Sequence, residues 1–145
     1  MRPSHVTLCI LLIAFVWTAA PSLGQSETCV QDGDTLCLQG ERFLLEVNFT
    51  DFSGDPGEAQ VVTEVQSADS GLFWFFDANN WEMLVKVIDG CGFNGHYWVF
   101  AAATTTVEFT LTVTDTETQT TRRYENPSGT IAVPVADVEA MPTCP

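Results

Sequence analysis

"TVEFTLTVTD", residues 106–115, decides the fold. Val107, Phe109, Leu111 and Val113 alternate with Glu108, Thr110, Thr112 and Thr114. A strict period of two puts the apolar set on one side of an extended chain and the polar set on the other, which is a strand with one wet face. "RFLLEVNFTDF" (42–52) repeats the pattern, with Phe43, Leu45, Val47 and Phe49 set against Glu46, Asn48 and Thr50.

Shorter runs add further strands. Ala59–Val65 and Thr120–Asn126 are β-branched, the second charged like an edge. Trp81–Asp89 places Trp81, Met83, Val85 and Val87 on one face and Leu84, Lys86 and Ile88 on the other. Turn chemistry separates the runs at 53–57, 77–80, 89–95, 115–119 and 126–129. No stretch sustains a helical period; only the tail, Val135–Met141, is short enough to read as a helical turn. Short strands at regular spacing predict one all-β domain, an antiparallel β-sandwich, with an open barrel as the alternative.

Residues 71–100, "GLFWFFDANNWEMLVKVIDGCGFNGHYWVF", hold three of the four tryptophans and five of the ten phenylalanines. They divide into strands at 71–76, 81–89 and 96–100. The first and last are apolar on both faces, although a strand of a two-layer sandwich ordinarily has one polar face. Most of these rings are expected in the core, since aromatics dominate core burial. The C-terminal tail is the expected cover for the second face, and Trp81, beside the polar Asn79-Asn80, is the ring expected to be exposed. The alternative use is a carbohydrate platform on Trp81 or Trp98. The candidate binding surface comprises Asp77, Asn79, Asn80, Trp81, Asn94, His96 and Trp98, where polar turns adjoin aromatic strands.

The N-terminus sets the compartment. Arg2 precedes an apolar run, Val6–Trp17, and a small-residue exit ending at Gly24. This predicts a signal peptide over 1–24 and a domain over 25–145, secreted or periplasmic. The run is shorter than the roughly twenty residues a membrane span needs. Cys9 leaves with the signal. After cleavage four cations face nineteen acids, a formal charge of −15. Such a chain repels nucleic acid and anionic membranes, so neither is an expected partner, and the expected partners are a protein or a polysaccharide.

Cys29, Cys37, Cys91 and Cys144 remain, and an even count in a small exported domain reads as two disulfides with three connectivities. A hairpin at Asp32-Gly33 brings Cys29 to Cys37, which leaves Cys91 for Cys144. No close-spaced pair suggests a zinc site. Asp32 with Asp34, Asp51 with Asp55, and Asp77 with Asn79 and Glu82 are oxygen-rich loops that make calcium the candidate ion, and local turn bonding is their competing use. No other cofactor is expected. Lys86 should pair with Glu82 or Asp89, or reach water along its stem. His96 is the one imidazole left after cleavage; with an acid such as Asp89 it would be the centre of a rival hydrolase reading. Asn48-Phe49-Thr50 matches a glycosylation sequon.

"TLCLQGERFLLEVNFTDFSG" (35–54), residues 71–116 and "YENPSGT" (124–130) together resemble a module of exported bacterial proteins. Its pattern runs C…LCL, RFxVxV, FWFF, VKVxDG, NGHxWVF, VTDT and NPxG. The resemblance covers nearly all of 29–144. It implies an immunoglobulin-like sandwich and a non-catalytic binding or structural role, and it brings no site residues.

Overall fold

The computed structural model describes residues 28–145. The expected signal peptide and Cys9 lie outside the described residues. Within them, ten strands form two antiparallel sheets. The first holds β1 (Leu36–Leu38), β2 (Phe43–Thr50), β8 (Glu108–Asp115) and β9 (Thr120–Asn126) in that order, with β3 (Pro56–Glu58) also on β2. The second runs β10 (Val135–Met141), β7 (Tyr97–Ala103), β6 (Trp81–Asp89), β5 (Ser70–Trp74) and β4 (Gln60–Val61). The chain crosses between sheets at Ala59, which is fully buried. The all-β sandwich read from the alternation is the fold observed.

The two cleanest alternating stretches pair with each other. β2 and β8 run antiparallel from Phe43↔Asp115 to Thr50↔Glu108. Phe43, Leu45, Val47, Leu111 and Val113 therefore share the inner face and are buried. Glu46, Asn48, Thr110, Thr112 and Thr114 share the wet one. The second sheet answers with Phe73, Met83, Val85, Val87 and Val99. Gly71 belongs to this contact for lack of a side chain, because a Cβ there would stand 2.6 Å from Leu36 of the facing sheet.

Each end of the sandwich is closed differently. At one end Phe49 stacks on Phe75 with centroids 4.9 Å apart, Phe76 meets Phe49 edge-on at 5.0 Å, and Phe109 lies 6.1 Å from Phe75. At the other, Arg42 reaches Asp115 at 2.8 Å and Glu117 at 3.2 Å. Its guanidinium lies 4.7 Å from the Tyr97 ring, donates to the Tyr97 hydroxyl and donates to the Thr143 carbonyl. This clasp ties β2 and β8 to β7 and the tail. Burial pushes the Asp115 carboxyl up, but the hydrogen bonds from Arg42, Thr143 and the Glu117 N–H and the Arg42 charge together outweigh it and hold the group below its ordinary value.

Two bridges staple the loops, Cys29–Cys37 and Cys91–Cys144, the pairing expected from the sequence. The first closes a bend rather than a hairpin, since among the described residues no strand precedes β1. Two disulfides suit an oxidising, extracellular setting. No helix among the described residues is long and apolar enough to cross a membrane.

The tail departs from expectation. Val135–Met141 is a strand, not a helical turn. It pairs with the free edge of β7 from Val135↔Ala101 to Met141↔Tyr97, with a bulge between Asp137 and Met141. Side chains from the other sheet fix it: Arg122 donates to the Ala140 carbonyl, and the Tyr124 hydroxyl donates to Asp137 at 2.9 Å. Burial, then the Asp137 bond, raises the Tyr124 hydroxyl well above its usual range. An open sheet edge supplies a whole ladder of backbone bonds, and that outweighs the weak helical preference of seven residues.

A candidate binding face on the outer side of the second sheet

The tail extends this sheet sideways, so it does not cover the second apolar face. Of the nine rings between residues 71 and 100, Phe73, Phe75 and Tyr97 are buried. Trp74, Trp98 and Phe100 point outward and are half-buried. Phe76, Trp81 and Phe93 are 52, 48 and 85% exposed. The expectation that most of these rings belong to the core is therefore corrected. The reason is geometric: Trp74 follows Phe73, and Trp98 follows Tyr97, so one of each pair must point away from the core.

Register turns these side chains into a continuous surface. Trp74 lies opposite Trp81. Leu72, Leu84 and Ala102 form the next row. Ser70, Lys86, Phe100 and Ala136 form the third, and Ile88 with Trp98 the fourth. Cross-strand neighbours of this kind have Cβ atoms about 4.5–5.5 Å apart. None of the residues in these rows is acidic, in a chain with nineteen acids. The outer face of the first sheet is the contrast, with Glu46, Glu108, Glu125 and a run of threonines. Contiguous exposed apolar area of this sort marks an interaction surface more often than isolated surface hydrophobes do.

Trp81 joins this face through a β-bulge. The β5–β6 register shifts between Phe73 and Trp74, so Glu82 becomes the extra residue and Trp81 moves off the parity of Met83, Val85 and Val87. Glu82 turns inward and is 5% exposed. Its carboxylate accepts from the Phe75 N–H at 2.7 Å and from the Asn80 side chain at 2.6 Å, which anchors the 75–80 turn. Burial raises the Glu82 carboxyl, and these bonds oppose the rise only in part.

Lys86 makes neither predicted ion pair. Glu82 points to the other side of the sheet, and Asp89 accepts from the Cys91 N–H at 2.9 Å. The ammonium instead sits 5.1 Å from the Phe100 ring centroid, a cation–π contact in the middle of the apolar rows. The ion pairs among the described residues both belong to Arg42.

The remaining polar candidates are occupied by local structure. Asp77 accepts from the Asn79 backbone and side chain at 2.8 and 3.0 Å, which holds its carboxyl low. The one-turn helix α1 (Cys91–Asn94) places Asn94 so that its side chain accepts from Trp98 Nε1 at 2.8 Å and donates to the Val138 carbonyl. Gly90 opens this turn because the Trp98 ring lies where a Cβ would be. His96 Nδ1 is 2.8 Å from the Asn94 carbonyl, and no hydrogen bond or ion pair joins it to Asp89 among the described residues. Of the oxygen-rich loops, Asp32 accepts from the Asp34 and Thr35 N–H groups, and Asp51 from those of Ser53 and Asp55. These are turn bonds. Among the described residues no group of three or more His, Cys, Asp or Glu is arranged to hold a metal.

Phe93, Trp98 and Phe100 do not make a flat platform. Trp98 and Phe100 are tilted 78° to each other, and Phe93 and Trp98 by 49°. The Trp98 and Trp81 indole donors are spent internally, on Asn94 and on the Ala78 carbonyl. The alternation of β5–β7 was the signal for this face; Leu72, Leu84, Lys86, Ile88 and Phe100 were legible as outward but were not assigned to a site. In comparisons with known proteins, no family model, curated protein or solved structure matches the chain.

Proposed function

We propose that this protein is an exported, non-catalytic binding module whose working surface is the outer face of the β4–β7 and β10 sheet. One observation carries the reading: contiguous, largely apolar rows on the outer side of β5–β7, none of whose residues is acidic, in a chain of net charge −14. Water-facing strands of such a protein need no reason to be polar; apolar ones do. The disulfides suit the exported setting, and the sequence pattern supports kinship with immunoglobulin-like modules of exported bacterial proteins. Sugar stacking is less favoured, because Trp98 and Phe100 are tilted to each other and the Trp81 and Trp98 donors are occupied.

The test compares Leu84→Asp, on this face, with Thr112→Asp, on the wet face of the other sheet. Each is immobilised and exposed to the extracellular proteins of the source organism. Partners retained by the wild type and by Thr112→Asp but lost by Leu84→Asp support the reading. Equal retention by all three refutes it.

A further inference from the structure

We infer that the occupant of this face is an extended apolar segment of another protein that brings a carboxylate to Lys86, an inference that rests on the face being the working surface. Three observations point to that chemistry. First, Lys86 is exposed, carries no ion pair, and is held over Phe100 inside rows that contain no acid. The other three cations of the described residues lie elsewhere. Arg42 is locked to Asp115, Arg122 is turned to Ala140, and Arg123 is on the outer side of the first sheet. An apolar surface with one unpaired positive charge is complementary to an apolar ligand with a negative one.

Second, a groove of about 400 Å³ opens on the Leu72 and Leu84 row, next to the row of Lys86. Leu72, Leu84 and Val65 supply its apolar lining, with Ser67, Ser70 and Gln66 beside them. Ser70 is the register neighbour of Lys86, and Leu72 that of Leu84. Glu64 stands on the groove as well, so an acid brought to that rim would be repelled. Third, Leu84 and Lys86 are two apart on β6, hence on one side of the sheet and about 6.6–6.8 Å apart along it. An extended ligand has the same repeat. An aliphatic residue over Leu84 and an Asp or Glu two positions away over Lys86 would match both at once.

The face offers a sugar little to bond, since the Trp81 and Trp98 N–H groups are used internally and much of it is aliphatic. A second copy fits poorly as well. It would bring another Lys86 on an acid-free face and the same large negative charge, whereas the inferred ligand brings its charge where the cation is.

A random peptide library displayed on phage and selected on the folded, disulfide-bonded protein tests this. The expected selectants carry an apolar residue and an acid two apart. Synthetic versions should bind Lys86→Glu roughly tenfold more weakly or worse, and replacing the peptide acid with Lys should restore binding to that variant. Lys86→Met serves as the milder variant, and thermal melts of each show that the fold is kept. Peptides without the acid that still lose binding in Leu84→Asp overturn the carboxylate and leave the face standing. Peptides indifferent to both Leu84→Asp and Lys86→Glu, or a library that yields no binder, overturn the inference, and indifference removes the face as well. Self-association in sedimentation that Leu84→Asp abolishes makes the occupant a second copy, and glycan-array binding abolished by Leu84→Asp makes it a sugar; either refutes the inference.

Discussion

Replacing Asp115 with Ala removes the anion at the centre of the end clasp. The Asp115 side chain has no exposed surface, and that of Arg42 is 11% exposed. Asp115 accepts from Arg42 Nε at 3.2 Å, from a terminal guanidinium nitrogen at 2.8 Å and from the Glu117 N–H at 3.0 Å. Removing one partner of a buried pair costs about 3–5 kcal/mol, chiefly because the other charge stays buried. Arg42 keeps Glu117, the Thr143 carbonyl and the Tyr97 ring, so the lower end, about 3 kcal/mol, is expected. That is a large part of a typical domain stability of about 5–15 kcal/mol. Urea unfolding followed by tryptophan fluorescence reads it as a midpoint lower by about 1–3 M, given slopes of about 1–3 kcal/mol/M. The pH dependence is a second readout. The folded carboxyl titrates below 3.8, so its contribution is complete above that value and is lost as pH falls through the folded pKa. The gap between wild type and variant should therefore close in acid, while the relief of self-repulsion among the other acids affects both alike. A loss under about 1 kcal/mol, or a gap unchanged in strong acid, would refute the account of the clasp.

Other expectations follow from the same geometry. Replacing Cys91 and Cys144 together by Ser should cost about 4 kcal/mol, and Cys29 with Cys37 about 2.5 kcal/mol, from closed-loop lengths set by separations of 53 and 8 residues; equal losses in calorimetry would contradict the loop-length argument. Glu82 should titrate above 4.5 by carboxyl NMR. Its raised value means that its contribution is complete below the unfolded pKa and lost as pH rises through the folded one, and a midpoint at or below 4.5 would remove it. Gly90→Ala should destabilise by about 1–3 kcal/mol and shift tryptophan emission, since the new methyl meets the Trp98 ring; an unchanged melt and spectrum would count against that packing. Leu84→Asp should leave stability within about 0.5–1 kcal/mol of wild type, because Leu84 is 41% exposed, and a larger loss would mean that the face is part of the core.

The fold was legible where local pattern and tertiary environment agree. β2 and β8 alternate because each has one wet face, and their pairing follows. The three strands of residues 71–100 were legible too, and so was the anomaly of their double-sided apolarity. What covers a face is a tertiary fact that no period encodes, and the tail was misread for that reason. Its seven residues carry no strong period, and the free edge of β7 decided the matter. The bulge at Glu82 was hidden likewise, since one extra residue reverses the parity of Trp81 without a compositional mark. Asp115 did leave a trace: it stands on the buried parity of β8, after Phe109, Leu111 and Val113, where an acid requires a buried partner. Lys86 was visible as a charge in an apolar strand; its freedom from carboxylates became clear only once Glu82 was seen to face inward.

β10 also sets the order in which the chain can lock. It completes one sheet by pairing with β7, receives Arg122 and Tyr124 from the other, and leads into Thr143 and Cys144, which meet Arg42 and Cys91. Every one of these closures waits for the last strand to emerge. Until then β7 has an open edge, Arg42 lacks the Thr143 carbonyl, and Cys91 is an unpaired thiol. A chain emerging N-terminus first would therefore stay loose until this strand had emerged, and an oxidising setting would then supply the bond that holds it.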